Sequence, residues 1–256
     1  MSREARLRVA REAVAGTIAP DRGVLAFGDR RIDQVLPGEG LPLGCWHEVV
    51  GEGMQIETAA AGAAFVAALA APLARRGAVV WVMRRDDLYA PGLFGLGFPA
   101  TRLIQVQAKD ETQSLIALAD ALGTAGVIAA IGEVEAVDLT AGRRLQLACE
   151  RHGATGFVIR RRPYGGTSRG EATGSAAATR WSIAPAPSEP LPGEPGLGAP
   201  RWRVSLERCR GGRTGAWIME KTEDAYPLRL VADLGDRQLE TAQPAPAWHL
   251  VQSLAG

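Results

Sequence analysis

A chain of 256 residues carrying 29 Lys and Arg against 28 Asp and Glu, net charge +1, is long enough for one large domain with tails and too neutral to be basic over its whole surface. Cys45, Cys149 and Cys209 are far apart with no C-x-x-C, and His47, His152 and His249 are equally scattered, which argues against a disulfide framework and against a metal site. The N-terminus alternates charged and apolar residues, unlike a signal peptide, and the apolar run 59–74 is too short for a membrane span and carries Gly62 and Pro72; the expectation is a cytosolic protein with no membrane contact, no metal and no cofactor.

In chain order, residues 2–15 have the spacing of a short amphipathic helix, with Leu7, Ala10 and Val14 on one face. Residues 1–24 are read as this helix and a linker, 25–236 as the core domain and 237–256 as a tail. Trp46–Val50 is a short apolar strand, Gly51 opens a loop, and an alanine-rich helix follows. In it Ala61, Phe65, Leu69 and Leu73 form one stripe for packing on a sheet, Pro72 should kink the last turn, and Arg75-Arg76-Gly77 supplies the stop. Strands are expected at Ala78–Met83, Leu103–Val106, Val127–Ile131 and Gly156–Ile159, with helices at Glu111–Leu122 and about 140–151. Near-continuous apolar strands alternating with helices predict an α/β fold with a mainly parallel sheet flanked by helices. Beyond Ile159 the pattern changes. A loop rich in Gly, Ser, Thr and Ala lasts to Ala178, Arg180–Ala184 reads as a strand, and Trp202–Glu207 and Gly215–Met219 read as antiparallel strands joined by the basic turn Arg208–Arg213. An edge strand at Leu228–Leu234 closes the core, so the parallel sheet is extended by C-terminal antiparallel strands.

The strand, loop and helix at 46–59 have the layout of a phosphate-binding loop, in which backbone N–H groups and a helix N-terminus face an anion. Against G-x-x-x-x-G-K-[ST], the register gives Gly51 at the first glycine, Ile56 at the second, Glu57 at the lysine and Thr58 at the hydroxyl. A carboxylate stands where a cation should meet phosphates, and a β-branched side chain stands where backbone should approach them. Glu57 is instead well placed to complement the helix dipole. Thr58 and the helix N-terminus leave plain nucleotide binding open.

Ahead of this loop, Phe27-Gly28-Asp29-Arg30-Arg31-Ile32-Asp33-Gln34-Val35-Leu36 and then Gly40-Leu41-Pro42-Leu43-Gly44 resemble the entrance to the ATPase core of RecA-type recombinases. With Thr179-Arg180-Trp181-Ser182-Ile183-Ala184, Pro200-Arg201-Trp202-Arg203-Val204 and Arg208-Cys209-Arg210-Gly211-Gly212-Arg213, the chain resembles more narrowly the bacterial inducible-mutagenesis A proteins, over roughly residues 25–237. That resemblance implies a RecA-like core and a role in damage-induced (SOS) mutagenic translesion DNA synthesis. The partners it implies are a Y-family-like polymerase homologue, an error-prone replicative-type DNA polymerase, and also RecA and single-stranded DNA. It further implies two catalytic positions. Arg85 falls where the water-orienting glutamate belongs and Ile131 where the magnesium-holding aspartate belongs, with Asp86 and Glu133 the nearest carboxylates. ATP hydrolysis is therefore not expected. The readings that stay open beside this one are a working ATPase with a rearranged site and an inhibitor of the recombinase filament or of cell division.

From Arg143 to Arg180 eight arginines face two glutamates. By the resemblance, Arg160, Arg161, Arg162, Arg169 and Arg180 lie where such proteins meet single-stranded DNA; from charge patterning alone they are equally a solvated surface or a patch for an acidic partner. In the tail, Trp248, Leu250, Val251 and Leu254 follow Pro244 and Pro246 and share an apolar face, either for docking on the polymerase homologue or for folding back onto the core.

Overall fold

The computed structural model describes residues 23–53, 55–161, 175–190, 193, 197–223 and 226–234, with backbone alone considered at 55–59. The N-terminal helix, Arg162, Arg169 and the tail residues Trp248, Leu250, Val251 and Leu254 lie outside them. Among the described residues the elements run β1 (Val24–Leu25), α1 (Arg30–Asp33), β2 (Leu41–Pro42), β3 (Trp46–Gly51), α2 (Gln55–Ala74), β4 (Ala78–Met83), two 3-10 segments (Ala90–Leu96 and Ala100–Arg102), β5 (Leu103–Gln107), α3 (Glu111–Leu122), β6 (Val127–Val134), α4 (Leu139–His152), β7 (Thr155–Arg160), β8 (Thr179–Ala186), β9 (Arg201–Cys209), β10 (Gly215–Lys221) and β11 (Leu228–Asp233).

Nine strands form one sheet in the order β11-β10-β9-β8-β3-β7-β6-β4-β5. From β8 to β5 all neighbours are parallel; β8–β9, β9–β10 and β10–β11 are antiparallel. The fold is thus α/β, a large mostly parallel sheet flanked by helices and extended by C-terminal antiparallel strands, as the alternation of elements predicts. Strand residues alternate between two cores. On one face Val49, Trp81, Ile131, Phe157 and Trp181 pack with α2; on the other Trp46, Val80, Val82, Ala130 and Val158 pack with Leu118 and Leu122 of α3 and Leu145 and Cys149 of α4.

The central strand β3 fits between β7 and α4 because two neighbours lack a side chain. A Cβ at Gly156 would lie 2.9 Å from Trp46 Cβ, and one at Gly142 would lie 3.1 Å from the Trp46 ring. The indole is fixed there by donating from Nε1 to the Gly142 carbonyl at 3.1 Å.

The single stripe expected on the alanine-rich helix is corrected. Of α2, Gly62, Ala63, Phe65, Val66, Ala67, Ala68, Ala70 and Ala71 are buried along with Ala61, Leu69 and Leu73. Small side chains let a second layer close over the helix: Phe27, Ile32, Leu36, Leu41, Leu93 and Phe98 join the same core. That layer comes from α1, the β1–β2 pair and the first 3-10 segment, for which the sequence offers little periodicity. The entrance segment is pinned by Asp33, whose carboxylate accepts from the N–H groups of Phe27 and Gly28 at 2.8 and 2.9 Å.

Candidate functional site

The loop after β3 opens at the carboxyl edge of the parallel sheet, where ligands of open α/β sheets bind. Gly51 is the last residue of β3, and Ile56, Glu57 and Thr58 fall in the first turn of α2. Arg85 lies two residues past the end of β4 and is exposed. Ile131 is fully buried in the interior of β6, opposite Trp81 and Phe157. The strand runs on to Val134, so the acidic side chain at its carboxyl end is Glu133. Glu133 shares the face of Ile131 and α2, and Val82 pairs with Gly132 one residue before it.

Glu133 is not free. It is only 5% exposed, its Oε1 accepts from Trp81 Nε1 at 2.9 Å, and its Oε2 accepts from Arg161 at 2.8 Å. Beside it, Arg84 donates to Glu135 at 2.7 Å and approaches Glu111 at 3.4 Å. The other oxygen of Glu111 accepts from the N–H groups of Glu135 and Ala136 at 2.7 and 3.1 Å. Glu111 is the first residue of α3, so this carboxylate ties a helix start to the turn after β6. The carboxyl edge is therefore lined by carboxylates that protein donors already hold.

A second cluster lies within the sheet on the α4 side. Glu48 of β3 is fully buried and accepts from Arg160 at 2.7 Å and from Arg180 at 2.9 Å; the side chain of Arg160 is 2% exposed and that of Arg180 15%. Arg160 also donates from Nε to the Glu135 carbonyl at 2.8 Å. Arg208, paired in register with Arg180, donates to the carbonyls of Ser175 and Ala177. Of the five arginines singled out in the sequence, the three described ones each sit against a carboxylate: Arg160 and Arg180 on Glu48, Arg161 on Glu133. Glu48 was passed over in the sequence. Its signal is an acid in the buried run Trp46–Val50, which a central strand tolerates only with partners.

Next to it on β3, His47 is 1% exposed. Its Nε2 lies 2.9 Å from the Pro42 carbonyl, which can only accept, so Nε2 carries the proton. Nδ1 then accepts from the Thr179 hydroxyl at 2.7 Å, and that oxygen accepts from Trp181 Nε1 at 2.7 Å. Burial lowers the imidazole pKa to about 4 against the weaker opposing pull of the Pro42 carbonyl, keeping His47 neutral. This chain of bonds ties the segment before β3 to β8.

Fold and site together define an α/β protein with a strand–loop–helix unit at the carboxyl edge of its sheet and with that edge occupied by its own ion pairs. No protein-family model matches the chain. Over 237 residues it is 58% identical to Protein ImuA of Caulobacter vibrioides, equally in strain NA1000 / CB15N and in strain ATCC 19089 / CIP 103742 / CB 15, a match covering 90% of this chain and 97% of that protein. The chain belongs to the ImuA family. No helix among the described residues is long and apolar enough to cross a membrane.

Proposed function

We propose that this chain is a non-catalytic RecA-like accessory protein of damage-induced mutagenic translesion synthesis, working through protein partners rather than by turning over a nucleotide. The partners in this reading are the Y-family-like polymerase homologue and the error-prone replicative-type polymerase. Its chief support is Glu133. The carboxylate nearest to the position of a magnesium ligand is held by Trp81 and Arg161, while Ile131 fills the expected aspartate position with a buried hydrocarbon. Hydrolysis needs a free metal-holding carboxylate and a base or water-orienting group together with the phosphate loop. Glu57 and Arg85 put the wrong charge at two of those places, and Arg161 neutralises the nearest substitute for the third. Protein partners are favoured over single-stranded DNA because the three described arginines of the candidate patch are engaged by Glu48 and Glu133.

The deciding measurement is magnesium-dependent phosphate release from ATP. The purified chain is expected to give none that scales with its concentration. Turnover that rises with protein and disappears in Thr58→Ala would overturn the reading in favour of a rearranged ATPase. The partner half is tested separately, by co-purification with the polymerase homologue after DNA damage; a chain that is catalytically silent and also fails to bring down the homologue has some other role.

A further inference from the structure

A cavity of about 160 Å³ opens at the carboxyl ends of β4, β6 and β7 and beside the start of α3, lined by Arg84, Arg85, Lys109, Glu111, Glu133, Val134, Glu135 and Arg161. None of these residues belongs to the loop after β3. Each carboxylate in the wall is held from one side: Glu133 by Trp81 and Arg161, Glu135 by Arg84, and Glu111 by Arg84 and two backbone N–H groups. Arg161 also lies 3.8 Å from Asp87. Arg85 and Lys109 are exposed and, among the described residues, enter no ion pair. Arg84 and Arg161 are engaged by the carboxylates of the wall, which leaves Arg85 and Lys109 as the two lining cations without an acidic partner among the described residues.

Two unpaired cations on one cavity wall suit a small oxyanion. The surroundings decide which kind. Asp86, Asp87 and Asp110 are exposed around the opening, so a polyanion laid across it would meet repulsion on every side. A single carboxylate on a protein side chain meets less of that repulsion than a chain of phosphates does while reaching the two cations. We propose that this cavity receives the carboxylate of an aspartate or glutamate presented by a protein partner, held between the Arg85 guanidinium and the Lys109 ammonium. The inference rests on the reading that the chain works through protein partners, and it gives that reading a contact point.

The test uses the full chain and requires neither ATP nor the polymerases, so its failure is separable from failure of the proposed function. Three probes are titrated while the Arg85 Nε–H resonance and hydrogen exchange at residues 84–87 and 107–111 are followed: a capped Gly/Ser peptide carrying one glutamate, the same peptide with glutamine, and a single-stranded oligonucleotide. The glutamate peptide is expected to shift Arg85 and protect both segments, with binding that weakens as salt rises; the glutamine peptide is not. Arg85→Gln and Lys109→Gln should each weaken the glutamate peptide by about two- to fivefold, the size of one lost exposed charge contact. Arg75→Gln, an exposed arginine at the opposite edge of the sheet, should leave it unchanged. Melting curves of the variants check that they fold. The proposal is overturned if the glutamate peptide leaves Arg85 unmoved, if the glutamine peptide binds as well, if either pocket variant binds undiminished, or if the oligonucleotide shifts Arg85 in place of the peptide.

Discussion

Glu48 stands fully buried on the central strand, so its charge depends on Arg180 and Arg160. Burial pushes its carboxyl up, but the two guanidinium groups outweigh that and hold it below the usual carboxylate range. Removing one member of a buried, hydrogen-bonded ion group leaves the others uncompensated, a loss of about 3–5 kcal/mol. Glu48→Gln and Arg160→Ala are each expected to cost about that much in urea unfolding at neutral pH. Arg161→Ala, on a more exposed side chain, should cost clearly less. A variant replacing Arg160, Arg161 and Arg162 together would thus report mainly on folding rather than on contact with DNA. Since the folded pKa of Glu48 is depressed, its contribution is present above the ordinary carboxylate pKa and is lost as pH falls through the lower folded value. An acid limb of unfolding that does not flatten in Glu48→Gln would show that other groups govern it.

His47 acts in a different window. Its pKa of about 4, against an ordinary 6.5, means that the unfolded chain takes up a proton which the folded chain refuses between those values. Stability should therefore be fully present above pH 6.5 and fall by about 3 kcal/mol as pH drops toward 4. Replacing the ring with a neutral amide, His47→Asn, should flatten the profile in that window even if it lowers the whole curve. An unchanged slope would mean that His47 is not the group responsible.

At the level of elements, residues decide what can be repaired. The sequence ends this strand at Ile131 and puts that residue at the aspartate position; the strand continues to Val134, and Ile131 is buried in the core. Ile131→Asp would put an unpaired carboxylate between Trp81 and Phe157. It should destabilise by about 4 kcal/mol or more and confer no magnesium-dependent hydrolysis. A stable, hydrolysing Ile131→Asp protein would show that the position had been misjudged here.

The same strand shows what was legible. Ala78–Met83 and Glu111–Leu122 could be bounded in the sequence because continuous apolar residues, or an Asp110 cap and a following Gly123, mark both ends. The end of β6 could not, since Gly132 and Glu133 look like a strand stop until Trp81 and Arg161 are known to meet the carboxylate. The surroundings of α2 were hidden for a related reason. Alanine has no strong sidedness, so a helix that is covered all round reads like one packed on a single face. In the candidate site, Arg85, Ile131 and the loop residues are named from the sequence, whereas Glu48 and Glu133 gain meaning only from partners far along the chain.

For the whole molecule, the described core closes at Leu234, whose N–H donates to the Ala216 carbonyl at 2.8 Å. The two faces of the sheet are filled by residues before that point. Deleting residues 243–256 should therefore leave the melting temperature within a few degrees of the full chain, while binding of the polymerase homologue is lost if Trp248, Leu250, Val251 and Leu254 form its contact. A collapse in stability with binding per folded molecule retained would assign those residues to the chain's own core.

The position of β3 also sets a clock. It is the fifth of nine strands across the sheet and gains its neighbours only late: its partners are β7 and β8, and the His47–Thr179 and Glu48–Arg160 bonds join residues 132 and 112 positions apart. At roughly 5–20 residues per second, a ribosome takes on the order of ten seconds to make that intervening stretch. Throughout it both edges of β3 lack the strands they pair with. The centre of the sheet is thus translated early and completed late, so the two edges of β3 are open to other strands during that delay.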